Sequence, residues 1–317
     1  MQEIGGYIEL EHFHGAMLHE GLIALNCGRA CLRYLIRARK IRRIALPLFC
    51  CDSVREACQA EGTEVRLFRI GHDWMPQASF ELRAGEWLYL VNAYGQLARD
   101  QIVQAKERYG HVILDEAQAY FEDPLPDIDT IYTCRKFYGV SDGAFLATDA
   151  PRIEGLPQDE SYDRMRFLLG RFERPASEFY ALHVANDASF TAEGIRRMSR
   201  LTENLLRGAD DAAIQARRTE NFQRLARALG DKNLLKLHVP TGPFAYPLLV
   251  PDGARLRKQL IAHHIYVPTL WPNVLEQAPE DSWEYTLASN VVPLPVDQRY
   301  GAEEMDVIVS AVMQHIA

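Results

Sequence analysis

The chain has 317 residues, 48% of them apolar and 25% charged, with a formal net charge of −8. That length suits about two domains of roughly 150 residues each, and the acidic balance excludes a general nucleic-acid or anionic-membrane binder, because attraction to phosphates needs local positive charge. No apolar run reaches the roughly 18 residues of a membrane span, neither end reads as a signal peptide, and none of the six cysteines forms a C-x-x-C pair. Reduced thiols, a cytoplasmic location and no metal site are therefore expected.

In chain order, His12 and His14 are spaced to share one face of a strand, but with no third ligand nearby they read as ordinary polar residues. Ala24–Arg37 (ALNCGRACLRYLIR) predicts a turn followed by a helix. Gly28 stands at the helix start, where backbone N–H groups and the helix dipole favour an anion. The basic run Arg37–Arg43 suits the helix C-terminus. Strands are expected at Arg43–Pro47, Thr63–Arg69, Glu86–Asn92, His111–Leu114 and Thr130–Cys134, with helices at Ser53–Glu61 and Asp100–Tyr109. Short apolar strands separated by helices predict an α/β fold, a mostly parallel sheet flanked by helices. Asp187–Gly230 reads as a long helical stretch. Beyond it, strands at Phe244–Val250 and Ile265–Thr269 and a last helix at Ala302–Ile316 predict a smaller C-terminal α+β domain. The chain divides on this reading into a large domain, 1–210, and a small one, 211–317.

Asp115 closes an apolar strand in Val112–Ala119 (VILDEAQA), and open α/β sheets bind ligands at the carboxyl ends of their strands. Asp is also a common helix N-cap. A strand-end acid can serve Mg²⁺ in a nucleoside-triphosphatase, but that needs a G-x-x-x-x-G-K-[ST] loop, and the chain has no Gly-Lys dipeptide. Lys136 lies 21 residues later, after a strand and before Phe137 and Tyr138. Aromatic neighbours can desolvate an ammonium, which lowers a lysine pKa and favours imine chemistry. A G-x-S-x-G match at Gly139–Gly143 precedes a strand rather than a helix, so it lacks the context of a nucleophile elbow.

Together these segments resemble the DegT/StrS-type aminotransferases, fold-type I enzymes dependent on pyridoxal 5′-phosphate (PLP) that act on sugar nucleotides. Gly28-Arg29-Ala30-Cys31-Leu32 is similar to the family's Gly-Thr-x-Ala-Leu phosphate turn, with Arg and Cys replacing Thr and Ala. Pro47-Leu48-Phe49-Cys50 resembles its strand end and following loop, Asp115-Glu116-Ala117-Gln118-Ala119 its Asp-x-Ala-(Gln/His)-Ala motif, and Val292-Pro293-Leu294-Pro295 its Leu-Pro turn. The resemblance implies PLP bound as an imine to Lys136, with Asp115 on the ring nitrogen, Gln118 near the phenolic oxygen, and Gly28 and Arg29 at the phosphate. Thr133 or Cys134 would replace the serine the family places before its lysine, and Phe49 or Cys51 would pack on the ring. It further implies an amino-acid donor, a nucleotide-linked keto sugar as acceptor, and a homodimer in which Asn186 reaches the neighbouring site. Trp271, Tyr300 and Arg299 are candidates for stacking and diphosphate contacts. Two alternatives stay open: another PLP reaction such as dehydration, which usually replaces the imine lysine by histidine, and a PLP-fold sensor without transamination.

Overall fold

Strands and helices alternate as the apolar pattern predicts, and the computed structural model describes residues 4–316. Seven strands form one sheet: β1 (Ile23–Leu25), β2 (Arg43–Pro47), β3 (Glu64–Phe68), β4 (Glu86–Val91), β5 (Val112–Asp115), β6 (Asp129–Thr133) and β7 (Ala144–Ala147). Their order is β1-β7-β6-β5-β4-β2-β3. The pairs from β3 to β6 are parallel, and β7 runs antiparallel to both its neighbours. In this register Asp115 lies between Val91 of β4 and Ile131 of β6, so three strands end together around its carboxylate.

Helices α1 (Gly28–Arg39), α2 (Asp52–Ala60) and α3 (Arg99–Tyr109) cover the sheet. α1 buries Cys31, Leu32, Leu35 and Ile36 on one stripe and ends at Lys40 in the left-handed region, with Arg37 and Arg39 in its last turn. After the sheet come α4 (Arg166–Glu173) and α5 (Tyr180–Ala192), and the stretch Asp187–Gly230, expected to be mostly helical, holds the end of α5 and then α6 (Arg200–Arg207) and α7 (Asp211–Leu229). The break between α5 and α6 carries a backbone link from Asn26 N–H to the Arg196 carbonyl and caps α6 with Ser199, whose hydroxyl accepts from Thr202 N–H.

The C-terminal part contains β8 (Ala245–Leu249), α8 (Gly253–Ala262), α9 (Pro272–Gln277), α10 (Trp283–Asn290), β9 (Val291–Pro295) and α11 (Ala302–Met313). β8 and β9 form an antiparallel pair in which Pro247 faces Pro293. Proline is tolerated there because each strand of a two-stranded ribbon has a free edge. Two expectations are corrected. Ile265–Thr269 is not a strand: it follows a turn with His264 at positive φ, and Pro268 lacks the N–H a ladder needs. The partner of β8 is Val291–Pro295, where a turn was expected. His12 and His14 lie outside any strand, and His12 Nε2 meets Glu9 at 3.0 Å.

Three apolar clusters fill this layout, and two of them take buried residues from the C-terminal part. One fills the sheet and its helices and takes in Trp271, Val274 and Leu287 from the C-terminal part. The other joins Phe222 and Leu225 of α7 to Leu248, Val292, Leu294, Met305 and Ile308. Leu248 and Leu294 are fully buried, and burial of each such side chain stabilises by about 1.5–3 kcal/mol. Among the described residues no helix is long and apolar enough to cross a membrane, and no cluster of His, Cys, Asp and Glu could hold a metal ion.

Candidate active site

The ends of β4, β5 and β6 and the start of α1 lie together at one edge of the sheet. Asp115 is half-buried there. Its Oδ2 accepts from the hydroxyl of Tyr89 at 2.8 Å and its Oδ1 from the N–H of Ala117 at 2.8 Å, so both oxygens are fixed. Burial and the nearby carboxylate hold the Tyr89 phenol well above its ordinary range, which keeps it a donor. Behind it, Glu116 is buried and accepts from Asn92 Nδ2 at 2.8 Å. Desolvation pushes its carboxyl well above the usual range.

Gln118 is 2% exposed. Its Oε1 accepts from the N–H of Tyr94 at 2.7 Å, while its Nε2 has no hydrogen-bond partner in the protein. A buried donor without a partner costs about 1–3 kcal/mol unless something else accepts from it. Tyr94 holds a positive φ of 56°, which for a non-glycine residue costs on the order of 1–3 kcal/mol. That turn directs its N–H to Gln118.

Lys136 occupies the turn after β6. The residue as a whole is exposed, yet protein atoms crowd its ammonium. Desolvation lowers its pKa, and the charge of Asp115 raises it in part, followed by a smaller contribution from Cys51. The net direction is downward. The ammonium lies 5.5 Å from the centre of the Phe244 ring, a cation–π geometry. Asp115, Cys51 and Lys136 thus share one electrostatic neighbourhood.

The start of α1 packs tightly on β6. A Cβ at Gly28 would meet Thr133 Cγ2 at 2.9 Å, so only glycine permits this approach. Cys27 precedes the helix with extended backbone and no side-chain cap hydrogen bond, which leaves the first turn suited to an anion. Half-buried Thr133 flanks that turn. The guanidinium of Arg29 points elsewhere, donating to Thr191 Oγ1 at 2.8 Å and to the Asp187 carbonyl at 2.7 Å on α5, so Arg29 offers the turn only its backbone.

The remaining candidates fall into two groups. Phe49 is 1% exposed, edge-on to Trp271 at 4.8 Å and near Trp74 at 6.2 Å, so its ring belongs to the core; partly exposed Cys51 is the one of the pair on the open side. Trp271 is itself 9% exposed, and Arg299 is held by Asp297 through contacts of 2.6 and 2.9 Å, which leaves both little freedom to stack or grip a diphosphate. Asn186 is buried within its own chain and donates to the Ser141 carbonyl at 2.8 Å. Ser141 leads into β7, not into a helix, and is no nucleophile elbow.

No family profile matches the sequence, and neither does any curated protein. Solved structures do. A DegT/DnrJ/EryC1/StrS aminotransferase from Brucella abortus superposes with a TM-score of 0.64 at 18% identity, over 94% of this chain and 86% of the other. The chain has the fold of these aminotransferases. A sugar aminotransferase from Micromonospora echinospora gives 0.63 at 18% identity over 93% and 87%, and NtdA from Bacillus subtilis, solved with bound PMP, gives 0.66 at 15% over 94% and 74%. The mostly parallel seven-stranded sheet and the small antiparallel C-terminal sheet agree with that fold.

Sequence reasoning missed Tyr89 and Tyr94. Both sit in or after an apolar strand and carry no motif; only the fold places them on Asp115 and Gln118.

Proposed function

We propose that the protein is a PLP-dependent aminotransferase that moves an amino group from an amino acid to a keto group. The observation that carries this reading is the meeting of Lys136 with Asp115 in one cleft beside a buried, unpartnered Gln118 Nε2. These residues fit the cofactor. Lys136 Nζ attaches it, and the lowered pKa keeps a larger share of that amine neutral and nucleophilic. Asp115 forms a charge-assisted hydrogen bond with the ring nitrogen, Gln118 Nε2 donates to the phenolic oxygen, and the turn at Gly28 and Arg29 with Thr133 holds the phosphate. Cys51 borders the ring. When bound, PLP supplies an electron sink for the proton's departure from the donor's α-carbon. Lys136, once displaced, moves that proton as general base and acid.

In this reading residues 1–210 carry the cofactor and 211–317 border the substrate. The acceptor is a keto sugar on a nucleotide and the donor L-glutamate, a choice supported by the sugar aminotransferases that share the fold. We also take the protein to be a cytoplasmic homodimer. The exposed apolar side chains of Leu169 and Phe172 on α4 and Val184 on α5 support association.

The test is a two-step absorbance experiment. L-Glutamate is expected to bleach the PLP-loaded protein, and a panel of nucleotide-linked keto sugars to restore its spectrum. Restoration by simple keto acids only would overturn the acceptor class, and no change with any amino acid would favour the non-transaminating sensor.

A further inference from the structure

Arg218, in the middle of α7, is 1% exposed and forms no ion pair among the described residues. The nearest acid, Asp297, is occupied by Arg299. A guanidinium so buried needs its donors satisfied, and here carbonyls do it. Nη1 donates to the Pro243 carbonyl at 3.1 Å, Nη2 to the Phe137 carbonyl at 3.3 Å with a longer contact of 3.5 Å to the Lys136 carbonyl, and Nε to Gln298 Oε1 at 2.8 Å. Gln298 in turn donates through Nε2 to the same Phe137 carbonyl at 2.7 Å. The guanidinium also stacks 4.7 Å over the Phe137 ring.

The turn after β6 carries Lys136 and contains no regular element to fix it. The segment Pro243–Phe244 carries the ring that lies under the ammonium. Arg218 grips the backbone of both segments at once, with a planar fork that lysine cannot reproduce. We propose that Arg218 is a positioning residue, which with Gln298 sets the placement of Lys136 in the cleft by tying its turn to the segment that bears Phe244. Desolvation lowers the Arg218 pKa to about 10, so the clamp remains charged at neutral pH.

The proposal rests on the reading of Lys136 as the cofactor lysine, but its test does not need the cofactor. In the full-length protein without PLP, labelling of Lys136 by trinitrobenzenesulfonate is followed against pH by mass spectrometry, for wild type, Arg218→Lys and Gln298→Ala. Gln298 is only half-buried and keeps the fold testable where the arginine variant does not fold. Both variants are expected to free the ammonium and move the labelling profile of Lys136 up toward the ordinary lysine range. With PLP and L-glutamate, the half-reaction is expected to slow by roughly 100-fold, as for a catalytic group misplaced by about 1 Å. A profile that stays put in every variant that folds, even with a lowered melting temperature, would make Arg218 a purely structural residue and overturn the proposal. If borohydride fixes no PLP to wild-type Lys136, the functional reading fails, while the labelling profile still decides the clamp.

Discussion

The two halves of the cleft are held in different ways. On the Asp115 side every support comes from nearby in the chain: Tyr89, Ala117, and Tyr94 through Gln118 all lie within 26 residues of their partners. On the Lys136 side the supports come from 81 and 161 residues away, through Arg218 and Gln298 onto the Phe137 carbonyl. One side is thus built by neighbouring strands of a single sheet. The other depends on the docking of the C-terminal part. The difference implies that the aspartate should stay ordered when the C-terminal part is loosened, whereas the lysine should not.

The largest expected effect tests the aspartate side. Asp115→Asn keeps the shape and one acceptor oxygen, which serves the N–H of Ala117, while its Nδ2 can donate to the Tyr89 hydroxyl oxygen, so the protein should fold, but it loses the negative charge that holds the ring nitrogen protonated. Single-turnover transamination with L-glutamate should slow by about 10²–10³-fold, the scale seen when one electrostatic contact to a reacting system is removed. An unchanged rate would take Asp115 out of the chemistry.

A milder change sharpens the comparison. Tyr89→Phe removes one hydrogen bond to a charged oxygen, which is worth about 1.5–3 kcal/mol where the group is buried, and leaves the apolar packing of the ring intact. Half-reaction rates and PLP affinity should fall by roughly 10- to 100-fold, less than for Asp115→Asn. An effect as large as that of Asp115→Asn would mean that the phenol touches the reaction directly rather than orienting the carboxylate.

The smallest effect is on stability. Burial raises the Glu116 pKa well above the unfolded value of 4.5, so between 4.5 and the raised folded value the folded state holds a proton that the unfolded chain releases. The contribution is therefore present below pH 4.5 and is lost as pH rises toward the folded value. Glu116→Gln removes that linkage. Its melting temperature relative to wild type should climb as pH goes from 4 to 7, and a gap constant across this range would contradict the raised pKa.

Much of this architecture was legible because it is local. Asp115 was placed by three apolar residues ending in an acid, and Gly28 by its position ahead of the amphipathic stripe of α1. Lys136 was legible through its aromatic neighbours and through the motif resemblance. Contacts over long sequence separation were not. Nothing in the order of residues announces that Arg29 turns to α5, that Arg299 is held by Asp297, or that Arg218 reaches the turn of Lys136. Arginines offer the same donors at the surface, in an ion pair or in a clamp, and only tertiary packing selects among them. The false strand at Ile265–Thr269 has a related cause. An apolar run has strand propensity, but a ladder also needs a partner, and β9 had taken the place beside β8.

The central claim is that Lys136 carries the cofactor, and one measurement meets it most directly. The protein is incubated with PLP, reduced with borohydride, digested and mapped by mass spectrometry. The label is expected on the peptide containing Lys136, at close to one per chain, and absent from Lys136→Ala. A label on any other lysine, or none on the wild-type protein, would contradict it.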